Sequence, residues 1–97
     1  MLTLTFTATI IEWRGPAPFF FAPIPPEHTP AIRAAAKLAS YGWGCIPITA
    51  TANGTAFTTS LMPKEGIYMV PLKDKVRRPL GLTMGDDVEI ALSISPR

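Results

Sequence analysis

At 97 residues, 47% of them hydrophobic and 16% charged, the chain has the balance of a folded sequence and the length of a single domain, residues 1–97. A net charge of +2 without a Lys/Arg cluster on one face argues against nucleic acid, and the single cysteine, Cys45, excludes an internal disulfide. Met1-Leu2-Thr3-Leu4-Thr5-Phe6 has no positive start and no unbroken apolar stretch, so no signal peptide is expected; no window approaches the roughly 18 apolar residues of a membrane span, and a cytoplasmic location is the expectation.

Leu2, Leu4, Phe6, Ala8 and Ile10 alternate with threonines, the period of a half-buried strand. The phase slips after Ile10, because Ile11 and Trp13 now carry the apolar positions, and a β-bulge is expected there. Arg14 to Pro18 turns the chain into Phe19-Phe20-Phe21-Ala22, a short strand apolar on both faces that Pro23, Pro25 and Pro26 end. A helix is expected over residues 29–41, with Thr29 as N-cap, Pro30 at its first position and Gly42 just beyond its end. Its face of Ile32, Ala35, Ala36 and Ala39 is thin and suits close packing on a sheet.

Residues 45–52 form a strand, Asn53-Gly54 is a two-residue hairpin turn, and residues 55–61 return. Pro63 to Gly66 turns again, into a strand over residues 67–72. Pro47 and Pro71 cannot donate to a ladder, which places them at edges, bulges or strand ends. Residues 73–82 read as a short helical or irregular link, and Gly85-Asp86 leads into a last strand over residues 88–94. The fold class is mainly β: a small six-stranded closed or nearly closed β-barrel with one α-helix and a short helical link.

Several stretches occur in a recognisable order. They are Phe6-Thr7-Ala8, Tyr41-Gly42-Trp43-Gly44-Cys45-Ile46-Pro47-Ile48, Phe57 to Pro63, Tyr68-Met69-Val70-Pro71-Leu72, Val76 to Leu82 and Gly85-Asp86-Asp87-Val88. Together they resemble the bacterial domain of unknown function nineteen-oh-five family over nearly the whole chain. The resemblance implies a small β-barrel and brings no activity and no catalytic residues. Pro79 departs from the pattern and argues against a regular helix across residues 73–82.

No residue set supports catalysis. His28 is the single histidine and is expected in a surface loop; Cys45 reads as a small buried hydrophobe. Gly85-Asp86-Asp87 offers two carboxylates and no third ligand, so no metal is expected, and Asp86 is read as capping the turn. No cofactor is expected. Residues 73–78 carry four cations and one carboxylate. Their bland reading is a solvated link with one arginine paired to Asp86 or Asp87; their functional reading is an anion contact, with Arg77 pointing into a pocket beside Trp43. The ligand-binding candidates are therefore Trp43, Tyr68, Arg77 and Arg78.

The leading functional expectation is a non-catalytic module for a small ligand or a protein partner, with no membrane association and with homo-oligomerisation left open. The alternative is a nucleic-acid binder: residues 81–90 resemble the closing segment of swapped-hairpin transcription factors. Against it, the first thirteen residues hold only Glu12 as a charged side chain.

Overall fold

Threonine at every second position of the first segment leaves Leu2, Leu4, Phe6 and Ala8 on one face, and that face turns inward, with Phe6 and Ala8 buried. The computed structural model describes residues 1–14, 18–39 and 46–95. Among them are seven antiparallel strands: β1 (Leu2–Thr9), β2 (Ile11–Arg14), β3 (Pro18–Pro23), β4 (Ile46–Ala52), β5 (Thr55–Lys64), β6 (Ile67–Pro71) and β7 (Asp87–Ile94). They form one curled, half-barrel sheet in the order β1-β7-β4-β5-β6-β3-β2.

The count is seven where the sequence predicts six, and the difference lies at Ile10. The expected phase slip is a break between two strands rather than a bulge within one. β1 pairs with β7 along its full length, Leu2↔Ile94 to Thr9↔Asp87, while β2 pairs with β3, Ile11↔Phe21 to Arg14↔Pro18. One chain segment thus supplies both outer strands of the sheet. Ile10 is held by the Gly85-Asp86 turn: its amide donates to the Asp86 carbonyl and its carbonyl accepts from the Gly85 amide, both at 2.9 Å. Gly85 has φ +90°, a conformation that favours glycine. The Asp86 carboxylate accepts from the Thr83 amide at 2.9 Å, the turn-capping role expected of it.

The two hairpin turns set the central register. Asn53 and Gly54 have φ of 47° and 87°, which closes β4 onto β5 with Ala52↔Thr55. The Asn53 amide also donates to the Glu89 carbonyl, and its side-chain oxygen accepts from the Glu89 amide, so the turn is tied to β7. The second turn falls at Glu65-Gly66 (φ 52° and 85°) rather than across residues 63–66, leaving Pro63 inside β5.

The helix α1 (Thr29–Ala39) begins without the expected cap. A 3-10 turn, Pro26–His28, runs directly into it, and Thr29 already has helical dihedrals (φ −57°, ψ −45°). The predicted end of this helix at residues 40–42 lies outside the described residues. Ile32 is fully buried, Ala35 and Ala36 pack on the core, and Arg33 and Lys37 are exposed, as the pattern predicts. The link after β6 contains one helical turn, α2 (Asp74–Arg77), with Pro79 close behind it.

The core is contributed by one face of the sheet and by the connections over it. Ile10, Ile24, Ile32, Ile46, Leu61, Ile90 and Ile94 are all at most 1% exposed. Each such side chain stabilises the fold by about 1.5–3 kcal/mol relative to exposure. Ile90→Ala is expected to cost about 2–5 kcal/mol in urea unfolding, whereas Thr7→Ala on the exposed face of β1 should change it by less than about 0.5 kcal/mol. Equal midpoints for the two variants would contradict this assignment of faces.

Candidate binding groove

A strand's backbone groups point alternately to its two neighbours. On β5 the odd residues face β4, giving the pairs Ala52↔Thr55, Ala50↔Phe57, Ile48↔Thr59 and Ile46↔Leu61. The even residues face β6, but only Met62↔Met69 and Lys64↔Ile67 are made. The next pair in that register would be Ser60↔Pro71. On β6 the even residues face β3, as the bonds Leu72 N to Phe20 O and Ile24 N to Tyr68 O show (both 2.9 Å), so Pro71 faces β5. It has no N–H to offer there, and the ladder stops.

Beyond that point the sheet splits, and a groove of about 1110 Å³ opens between its two halves. One wall is β3 and the end of β6, with Phe19, Phe20, Phe21, Pro71 and Leu72; the other is β4, β5 and β7. On this second wall Thr49 lies between Thr58 on β5 and Ser93 on β7, a row of hydroxyls on the face opposite the core. Lys73 and Asp74 line the groove as well. An aromatic wall opposed to a hydroxyl wall suits a ligand with one apolar and one hydrogen-bonding side.

β3 is apolar on both faces because each face has its own partner. Ala22 joins the main core, whereas Phe21 is buried outside it. The Phe21 and Phe19 rings lie 6.5 Å apart, Trp13 follows 6.5 Å from Phe19, and the Lys64 ammonium sits 4.1 Å above the Trp13 ring. Trp13 and Phe19 are half exposed, at 50% and 52%. This two-faced apolarity is the sequence signal for the groove wall, and it was open to reading as strand interior alone.

Of the four ligand-binding candidates, Trp43 lies outside the described residues. Tyr68 is half-buried against the core. Arg77 stands behind the groove wall: its guanidinium carbon is 3.9 Å above the Phe20 ring, Nη1 donates to the Leu82 carbonyl and Nη2 to Asp74, each at 3.0 Å. Arg78 is exposed and reaches Asp74 at 3.4 Å. The arginines therefore pair with Asp74, where a solvated link predicts Asp86 or Asp87; Asp87 instead accepts from the Thr9 hydroxyl. His28 belongs to the 3-10 turn rather than a loop and lies half-buried with its ring 6.3 Å from Phe6. Cys45 lies outside the described residues. Among those described, no group of three or more His, Cys, Asp or Glu could hold a metal, and no helix is long and apolar enough to cross a membrane.

Arg77→Ala removes a stack and two hydrogen bonds from a site whose arginine side chain is only 14% exposed. A loss of about 1–3 kcal/mol in thermal or chemical unfolding is expected, and Arg77→Lys should not restore it, since an ammonium cannot lie flat on Phe20 while reaching both acceptors. Arg78→Ala should be near neutral, as exposed pairs contribute little. Pro71→Val is expected to let the ladder advance by one pair, seen as slow hydrogen exchange of the new amide at position 71; fast exchange there would show that something other than the missing donor holds the split open.

The sequence model of one protein family, a domain of unknown function (DUF1905), matches residues 6–92. No curated protein matches the chain. Spanning nearly the whole sequence and all seven strands in whole or part, the match shows that the chain belongs to the DUF1905 family.

Proposed function

We propose that this domain is a non-catalytic binding module and that the split between the two halves of its sheet is the binding site. The observation that carries the reading is the groove itself: about 1110 Å³, within reach of the size of small-molecule sites, with phenylalanines on one side and a hydroxyl row on the other. Binding there would bury Phe19, whose exposure otherwise has no structural use. Arg77 contributes by fixing Phe20 in the wall, and Lys73 by placing a cation beside it. The single histidine packs by Phe6, away from the lining residues, so the groove's hydroxyls have no imidazole to activate them. No observation favours the nucleic-acid alternative: the cations closest to a cluster, Arg77 and Arg78, are engaged by Asp74.

Anilinonaphthalene sulfonate, an apolar anionic dye, tests the site. One dye should bind per chain with enhanced fluorescence, and Thr49→Trp, which fills the groove from its hydroxyl wall, should weaken that binding at least about tenfold while leaving the fold intact by circular dichroism. Dye affinity unchanged by Thr49→Trp would remove the groove as the binding site.

A further inference from the structure

We propose that the ligand of the groove is an extended peptide segment that adds to β5 as an extra strand and carries a carboxylate near Lys73. The inference rests on the groove being the binding site and names what it takes.

Ala56 and Thr58 of β5 direct their N–H and C=O groups away from β4, on the side where the sheet splits; Thr58 lines the groove, and Ala56 continues the same edge beyond it. Among the described residues nothing pairs with Ala56 or Thr58 on that side, and both residues are exposed. They stand two residues apart, which places equivalent backbone groups about 6.8 Å from one another. That is the repeat of another strand, and only an extended backbone meets both sets of groups in register; a compact small molecule satisfies one. Exposed strand edges are ordinarily protected by charge, proline or a bulge. Residues 55–61, Thr-Ala-Phe-Thr-Thr-Ser-Leu, contain neither charge nor proline. The facing wall supplies what strand addition uses for specificity, apolar contacts for alternate side chains, through Phe19 and Phe21.

Charge complementarity sets the end group. Four cations stand against one carboxylate over residues 73–78. That carboxylate, Asp74, is taken by Arg77 and Arg78, leaving Lys73 in the groove lining without an ion-pair partner among the described residues. An acidic side chain or a terminal carboxylate of the peptide supplies the missing charge.

The test uses fluorescein-labelled, C-terminally amidated heptapeptides alternating apolar residues with Thr and ending in Asp or Asn, so that the last side chain is the sole carboxylate exchanged, read by anisotropy and by amide exchange on the intact chain. Binding should slow exchange of the Ala56 and Thr58 amides at least about tenfold. N-methylation of alternate peptide amides should weaken binding at least about tenfold in one register and little in the other. Exchanging the terminal Asp for Asn, or Lys73→Gln, should each weaken it roughly two- to fivefold, with no further loss on combining them. Equal effects of the two N-methyl registers, or unchanged Ala56 and Thr58 exchange, would overturn strand addition. Dye binding without binding of any peptide would overturn the peptide class and leave the groove standing; absence of both would overturn the groove as well.

Discussion

The groove exists because one residue lacks an N–H. The β5–β6 hairpin is started in register by the Glu65-Gly66 turn, and each further pair along it would bury more backbone polarity and bring Phe19 to Phe21 closer to the hydroxyl wall. Hydrophobic and hydrogen-bonding terms both favour closure. Pro71 faces β5 at the position where the next reciprocal pair would form, and it can accept but not donate. The ladder would have to skip that pair to continue. β6 instead ends there, its last residue paired with Phe21 on β3, and the chain departs toward Asp74. A missing donor therefore sets the length of a hairpin, and the length of the hairpin sets the depth of a cavity.

A split in a sheet weakens it unless the halves are joined elsewhere. Here the join is covalent. β1 borders one half and β2 the other, and only Ile10 separates them in the chain. Ile10 is buried to 1%, and both its backbone groups are bonded to the Gly85-Asp86 turn, so the bend is fixed in direction as well as in place. β5 provides the second join, because its first seven residues belong to one half and its last three to the other. The two halves are thus held at a fixed separation by two chain segments that each serve both, β1–β2 and β5. A groove framed this way is preorganised, and the binding proposed for it would carry a low ordering cost.

Much of this architecture was legible in the sequence. The alternation in residues 2–10 and 88–94, the Asn53-Gly54 turn and the confinement of Pro71 to a strand end each follow from local chemistry that tertiary structure did not override. The phase slip after Ile10 was visible, but whether it bends a strand or breaks it depends on what Ile10 bonds to, and the Gly85-Asp86 turn lies 75 residues away in sequence. Thr29 failed as a cap for a similar reason: Pro25 and Pro26 start a 3-10 turn that reaches Thr29 already helical, so no cap position is left for it. The groove's walls were hidden because Phe19 to Phe21 are explained equally well as core. Only the pairing order shows that β3 has a second face looking across a gap at Thr49 and Thr58.

That second face raises the question of why the aromatic wall does not fold into the gap. Isolated phenylalanines beside a cavity would be expected to rotate inward and fill it, since interiors tend toward close packing. Three constraints act against this. Phe21 is buried and pinned in register with both Ile11 and Pro71. Phe19 lies between the Phe21 and Trp13 rings, and Trp13 is covered in turn by Lys64, so the row runs along β3 and onto its neighbour β2, away from the gap. Phe20, packed on the core from the same side of β3 as Ala22, carries the Arg77 guanidinium on its ring, and Arg77 is anchored at two points, the Leu82 carbonyl and Asp74, which holds the strand behind the row. The basic residue offered from sequence as an anion contact thus packs on the strand that carries the wall. The binding role proposed for the groove requires a cavity that is present before a ligand arrives, and in this fold the missing donor of Pro71 and the two-point anchor of Arg77 act toward that condition from opposite sides.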